Sequence, residues 1–254
     1  MKKLLVIMII LLSGCAQQPV EDQSQDNNAS APRVRAKIHS ELASGYYSRG
    51  QLGVALEEAK TSVQSDPTFV DGYNILGVVY MELREDAKAE ASFQKGLAID
   101  PKNSEANNNY GWFLCQHNRI DDAIKHFLVA LQNPLYTTPE KPYFNAGICS
   151  LKSNDDKSAI DFLKKALQVQ PQLSQAMYHL ADIYYRTGDL ALANQYIVKE
   201  MQTARDADAD SLWLGIRIAH KLGDRDAEDS YSLILKQRFP GSPGAQALKN
   251  GRYE

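Results

Sequence analysis

The most constraining feature of this chain of 254 residues is a pair of small residues that recurs every 34 positions. The two members of a pair lie twelve positions apart, and the spacing between pairs departs from 34 only once, where it is 36. The pairs are Ala43 and Ala55, Gly77 and Ala89, Gly111 and Ala123, Gly147 and Ala159, Ala181 and Ala193, and Gly215 and Ala227. A fixed period of this length predicts stacked units, none of which buries its apolar face alone.

A period of 34 with small residues on two successive helical segments is typical of tetratricopeptide (TPR) repeats, each a pair of antiparallel helices. The predicted fold is therefore all-α, a right-handed superhelical solenoid that occupies residues 35–254. Its six repeats are placed at 36–69, 70–103, 104–137, 140–173, 174–207 and 208–241. Residues 242–254 are expected to form a short capping turn or to fray.

The third and fourth repeats are joined by residues 133–142, which contain three prolines and account for the spacing of 36. Since proline ends a helix, we expect this connection to bulge from one edge of the solenoid. A tolerated surface insertion is favoured here over a dedicated binding loop.

The first residues do not belong to the repeats. Lys2 and Lys3 precede an apolar run over 4–12, which predicts a cleaved signal peptide at 1–14 and is too short for a membrane-spanning helix. The segment from Leu12 to Cys15 resembles the bacterial lipobox, which implies a lipid on Cys15; the alternative is a plain signal peptide cut elsewhere. Ala16 then implies outer-membrane localisation, with a lipid-anchored protein facing the periplasm.

Residues 15–34 after the cleavage site are polar, with few apolar side chains, and are predicted to form a disordered tether.

Charge and motifs favour binding to a protein over catalysis. The formal charge is −3, or −5 once residues 1–14 are removed, without a cluster of lysine or arginine, so nucleic acid is set aside as a partner. The five histidines occur singly, and neither a phosphate-cradling glycine loop nor a nucleophile motif is present. We therefore predict no enzyme activity, no metal, no cofactor and no small-molecule substrate.

Two cysteines remain once Cys15 is assigned to lipid. Cys115 and Cys149 lie in the first helices of adjacent repeats, and in an oxidising periplasm such a pair is a candidate disulfide. The alternative is two buried free thiols that pack as small apolar residues.

In TPR proteins the first helix of each pair lines the concave side, with repeat positions two, five, nine, twelve and thirteen directed into a groove. This resemblance implies that a partner contacts Tyr47, Asn74, Val78, Met81, Asn108, Trp112, Phe144 and Ile148. Apolar and aromatic side chains mixed with amides suit an apolar peptide or helix with some backbone hydrogen bonding. The alternative is that some of these side chains pack between helices.

The segment Asn107–Cys115, which reads NNNYGWFLC, is followed in the next repeat by Tyr143–Cys149, which reads YFNAGIC. With the lipobox and six repeats, this chain resembles the type IV pilus biogenesis and stability lipoproteins, the PilF/PilW pilotin family. The resemblance implies an outer-membrane lipoprotein whose early repeats bind the pilus secretin and promote its localisation and multimerisation. It also implies that Cys115 and Cys149 are similar to a disulfide found in some members.

Two alternatives to this function are kept. One is a TPR lipoprotein adaptor for outer-membrane protein assembly or for a periplasmic protease. The other is a peptidoglycan-associated or hydrolytic enzyme, which a chain made only of repeats disfavours.

Overall fold

The computed structural model describes residues 30–203 and 207–253, which form thirteen helices and their connections. The predicted all-α architecture is confirmed. The predicted signal peptide at 1–14, Cys15 and the tether up to residue 29 lie outside the described residues. The helices are α1 (Ala31–Ser48), α2 (Leu52–Ser65), α3 (Val70–Glu82), α4 (Asp86–Ile99), α5 (Ser104–Gln116), α6 (Ile120–Ala130), α7 (Glu140–Lys152), α8 (Asp156–Val169), α9 (Ser174–Thr187), α10 (Leu190–Thr203), α11 (Ala209–Leu222), α12 (Arg225–Arg238) and α13 (Pro243–Lys249).

Successive helices pair as hairpins, from α1 with α2 to α11 with α12, and each hairpin packs on the next. The first helices of neighbouring hairpins also contact one another: α1 contacts α3, and α3 contacts α5. The first helices therefore form an inner layer. No helix within the described ranges combines the length and the apolar character needed to cross a bilayer.

Each hairpin turns through one residue with a positive φ, between 57° and 86°. Glycine and asparagine adopt this left-handed conformation at the lowest cost, and only Arg84 is of another type. In five of the six hairpins the next N–H reaches back five residues, as from Glu85 to the Tyr80 carbonyl at 2.9 Å and from Arg119 to Leu114 at 2.9 Å. This bond satisfies a carbonyl of the last helical turn and ends the helix. The turning residues are Gly50, Arg84, Asn118, Asn154, Gly188 and Gly223.

The small residues that set the period lie where the two helices of a hairpin meet. A Cβ added to Gly77 would lie 2.7 Å from the Phe93 ring, and one added to Gly111 would lie 2.8 Å from the Phe127 ring. In the fourth repeat Leu163 covers Gly147 in the same way. In these three repeats the covering side chain comes sixteen residues after the glycine, so both partners of the contact recur with the repeat. We call this pairing of a glycine with the side chain that covers it the knob-and-socket contact.

The first helix begins earlier than predicted, and the boundary of the tether at residue 34 is corrected to residue 30. Pro32 occupies the first turn of α1, where a missing N–H costs nothing. Arg33 lies over the Phe69 ring at 5.0 Å and bonds to Asp66 at 3.3 Å. These contacts with the end of the first repeat offset the entropic cost of ordering a segment whose composition alone looked unfavourable for folding.

The joint between the third and fourth repeats is shorter than predicted. Its last residues belong to α7, with Pro142 buried in the first turn, where proline is tolerated. The Tyr136 hydroxyl donates to Glu105 at 2.7 Å and fastens the joint to α5, while Leu135 beside it is 84% exposed. The joint is therefore held against the inner layer at its edge.

The C-terminal residues form a cap on the last repeat. Gly244 of α13 packs against Trp213, since a Cβ there would lie 2.7 Å from its indole. The Tyr253 ring stacks on the His220 ring with centroids 3.8 Å apart. These contacts cover the open face that the last hairpin of a solenoid would otherwise present.

Cys115 of α5 and Cys149 of α7 are fully buried and joined as a disulfide, with Cα atoms 5.7 Å apart. This separation is within the range that a disulfide spans without backbone distortion. The bond crosses from the third repeat to the fourth, the two repeats that the irregular joint connects.

The knob-and-socket contact predicts that Gly111→Ala lowers the free energy of unfolding by about 1–3 kcal/mol, as overpacking does in a tight core. The added methyl would also lie 3.1 Å from the backbone oxygen of Ala123, which cannot rotate away. Gly53→Ala is the matched control, because nothing lies within 4 Å of its Cβ position, and it should be stabilising by about 0.4–1 kcal/mol. Urea denaturation measures both; equal effects of the two substitutions would contradict the packing argument.

The disulfide predicts a second change in stability. In the chain-entropy account, a bond closing 34 residues is worth about 4 kcal/mol, so a reductant should lower the urea midpoint of the oxidised protein. The double variant Cys115→Ala/Cys149→Ala should start with the lower midpoint and should not respond to the reductant. Alkylation of both thiols in unreduced protein, read by intact mass, would refute the pairing.

Candidate partner-binding groove

The inner layer of the first three repeats contains a groove of about 740 Å³ between α1, α3 and α5. It lies on the side of the solenoid formed by first helices, where the resemblance to TPR proteins places the binding surface. Its walls combine half-buried apolar side chains with a set of carboxylates.

The apolar part of the groove is supplied by one side chain each from α1 and α5, and by the buried Ile75 and two half-buried side chains of α3. Tyr47 comes from α1, Val78 and Met81 from α3, and Trp112 from α5, and each is half-buried. Val78, Met81 and Trp112 also pack against the core cluster around Phe93 and Phe127. The indole of Trp112 thus packs in the core and lines the groove at once, and its exposed part is available to a partner.

The groove includes five of the eight predicted contact residues: Tyr47, Asn74, Val78, Met81 and Trp112. The other three do not line it. Phe144 and Ile148 lie on α7, where Phe144 packs against the fourth- and fifth-repeat core and lies 6.0 Å from the His179 ring. Asn108 is only 3% exposed, and the role predicted for it is corrected below.

The asparagine amides on the inner layer bond to one another. Asn109 donates to Asn74 at 3.0 Å, and Asn108 donates to Asn109 at 3.2 Å. Asn145 of α7 then donates to Asn108 at 3.0 Å, so that the chain of amides links α3, α5 and α7. Asn108 therefore serves to connect repeats, because its amide is consumed inside the protein.

The sequence prediction did not include the carboxylates of the groove. Glu41, Asp71 and Glu105 line it, and none of its described lining residues is lysine or arginine. Asp71 and Glu105 both occupy position two of their repeats, so the signal was present in the pattern of inward-facing positions. The small side chains of Ser40 and Ser44, at positions five and nine of the first repeat, were also missed and widen the groove beside α1.

The charges around Asp71 act in both directions, and the attraction of Arg33 exceeds the repulsion of Glu105. The pKa of Asp71 is raised, first by its partial removal from water and further by the nearby charge of Glu105. Arg33 acts in the opposite direction, but it is engaged with Asp66. On the far wall, burial and the charge of Glu82 raise the pKa of Tyr47. A cationic group in the groove would relieve this repulsion.

The outer surface of the same repeats carries lysine side chains beside aromatic rings. A second cavity of about 570 Å³ lies there, with Lys95 over the Tyr73 ring at 4.9 Å and Lys88 over the Tyr80 ring at 5.5 Å. The groove on the inner face is therefore bordered by carboxylates, and the cavity on the outer face by lysines.

Comparison with known proteins agrees with this architecture. Models described as tetratricopeptide repeat match residues 70–103, 92–125 and 141–173. These matches confirm the predicted repeat class.

The relatives include type IV pilus assembly protein PilF of Pseudomonas aeruginosa, which is 30% identical over 244 residues and 94% of each chain. A solved structure of Pseudomonas aeruginosa PilF has a TM-score of 0.80 at 30% identity, covering 88% of this chain and 100% of that one. The crystal structure of PilW, described as a type IV pilus biogenesis factor, has a TM-score of 0.77 at 34% identity over 84% of this chain and 97% of its own. The resemblance seen in the sequence is confirmed, and this chain belongs to the family of type IV pilus biogenesis TPR proteins that includes PilF and PilW.

Proposed function

We propose that this protein is an outer-membrane lipoprotein that binds the secretin of the type IV pilus machine and promotes its localisation and multimerisation. The groove between α1, α3 and α5 is the binding surface, and a lipid on Cys15 holds the protein at the membrane. The observation that carries the proposal is the groove itself, an apolar trough with an acidic rim in a protein of a pilus-assembly family.

The groove narrows the chemistry of the bound segment. Tyr47, Met81 and Trp112 offer an apolar and aromatic surface, which suits the apolar face of a helix or an extended strand. Glu41, Asp71 and Glu105 form the rim, so the segment should carry lysine or arginine beside its apolar residues. The asparagine amides are already paired with one another, so they contribute less to partner binding than the sequence suggested.

The lipid on Cys15 holds the protein at the membrane. Lys2, Lys3, the apolar run and the sequence ending at Cys15 support export and lipidation. Several acyl chains make attachment effectively permanent, since each buried methylene contributes about 0.8 kcal/mol. Confining both partners to one membrane raises their effective concentration without any new contact.

The acidic rim predicts that the double variant Asp71→Asn/Glu105→Gln binds the secretin subunit of the same organism about tenfold more weakly at low salt. The substituted amides keep the shape of the groove, and the loss should shrink at high salt because screening already weakens the wild-type interaction. Binding is measured by titration at two salt concentrations.

The matched control is Asp121→Asn/Asp226→Asn, which removes the same charge from first turns of second helices, away from the groove. It should bind as the wild type does. Equal losses in both variants would point to net charge rather than the groove. Recovery of outer-membrane assembly or protease components, without secretin, would favour the adaptor alternative.

The lipid anchor predicts that Cys15→Ala moves the protein out of the outer-membrane fraction and reduces assembled secretin. Membrane fractionation and the amount of secretin multimer on a gel measure the two effects. Wild-type multimer levels in the outer membrane would contradict this role of the anchor.

A further inference from the structure

The two ends of the solenoid differ. The C-terminal end is covered by α13 and Tyr253, whereas the N-terminal end is the outer face of α1. An inner repeat packs its first helix against that of the preceding repeat, and within residues 30–203 and 207–253 no repeat precedes α1. The outer faces of terminal repeats are normally polar for this reason.

The outer face of α1 is apolar instead. Val34, Ile38 and Leu42 are 42%, 48% and 41% exposed and recur every four residues, which aligns them in one stripe. Ala36, Ser40 and Ala43 form the buried face on the opposite side of the helix. The stripe ends at a shallow cavity of about 330 Å³, where Ile38, Leu42 and Tyr46 lie beside one carboxylate and one guanidinium, those of Glu41 and Arg49.

Cationic side chains border this stripe. Arg35, Lys37 and Arg49 are exposed on α1 and at its end, and Arg49 lies 5.9 Å from the Tyr46 ring. Glu41 is the one carboxylate within α1, and it lies 3.9 Å from Lys37. In a chain with a formal charge of −3, this basic and amphipathic helix stands out.

The position of α1 in the chain brings it near a membrane whenever Cys15 carries lipid. Ser30 follows Cys15 by fifteen residues, which span at most about 50 Å. The N-terminal end of the solenoid is thus the part that the anchor holds closest to the bilayer.

We propose that the outer face of α1 docks on a bilayer that contains anionic lipid, with Val34, Ile38 and Leu42 among the acyl chains and Arg35, Lys37 and Arg49 at the headgroups. A bilayer offers both an apolar interior and negative charge, which match this face. A second copy of the chain would match the apolar stripe but would bring a cationic border against another cationic border. Because Glu41 lines both the groove and the cavity at the end of the stripe, docking would place the groove beside the membrane surface.

The test uses the mature chain from residue 16, made without lipid; it contains all thirteen helices. Flotation with vesicles of phosphatidylethanolamine and phosphatidylglycerol should recover the protein at low salt, and recovery should fall at high salt and with vesicles of phosphatidylcholine alone. Ile38→Ser/Leu42→Ser should reduce the recovered fraction at least tenfold.

Leu128→Ser/Leu233→Ser is the control, since these leucines are 47% and 57% exposed on second helices. It should float as the wild type does. Absence of flotation by the wild type, or equal loss in both variants, would overturn the proposal. So would a dimer in sedimentation that the α1 variant abolishes. None of these outcomes depends on secretin, so they are separate from the test of the proposed function.

Discussion

The close approach of the two helices within each hairpin is the contact on which the rest of this structure depends. Where the first helix has glycine, as at Gly77 and Gly111, the second helix inserts a phenylalanine ring against the bare backbone. Where the first helix has alanine, the residue sixteen positions later is smaller than phenylalanine: Ala59 follows Ala43, and Ile197 follows Ala181. The combined volume of the two side chains at this contact is thus kept within limits, as a densely packed interior requires. This contact holds the second helices on the outside and leaves the first helices to form the groove.

The fold was predictable because the helical hairpin is encoded locally and then repeated. Small residues, turn asparagines and glycines, and prolines all recur at one period, and each agrees with the same architecture. The start of α1 was not predictable in this way. Arg33 is ordered by Phe69 and Asp66, more than thirty residues away, and the composition of a segment carries no information on such contacts.

The groove was predictable in position but less so in chemistry. Tyr47, Val78 and Met81 were identified because inward positions recur with the repeat. The amides of Asn108 and Asn145 bond across 37 residues, and only the distance between two helices decides whether an amide faces a partner or another amide. The carboxylates of Asp71 and Glu105 both occupy position two of a repeat, so the inward-facing pattern carries information on charge as well as on size and apolar character. The acidic rim changes the expected partner from an apolar segment to one that is apolar and basic.

The irregular joint shows how the protein compensates for a break in its own repeat. An insertion between the third and fourth repeats would loosen their mutual orientation, since neighbouring repeats are held only by the contacts between them. Two independent links join the two repeats, the disulfide from Cys115 to Cys149 and the amide bond from Asn145 to Asn108. A third contact, the hydroxyl bond from Tyr136 to Glu105, fastens the joint itself to α5. The last of these ends on a residue that lines the groove, so the joint supports the groove wall directly. The repeats that form the groove are therefore held firmly to the later repeats, and a segment bound in the groove meets a surface whose shape is set before it arrives.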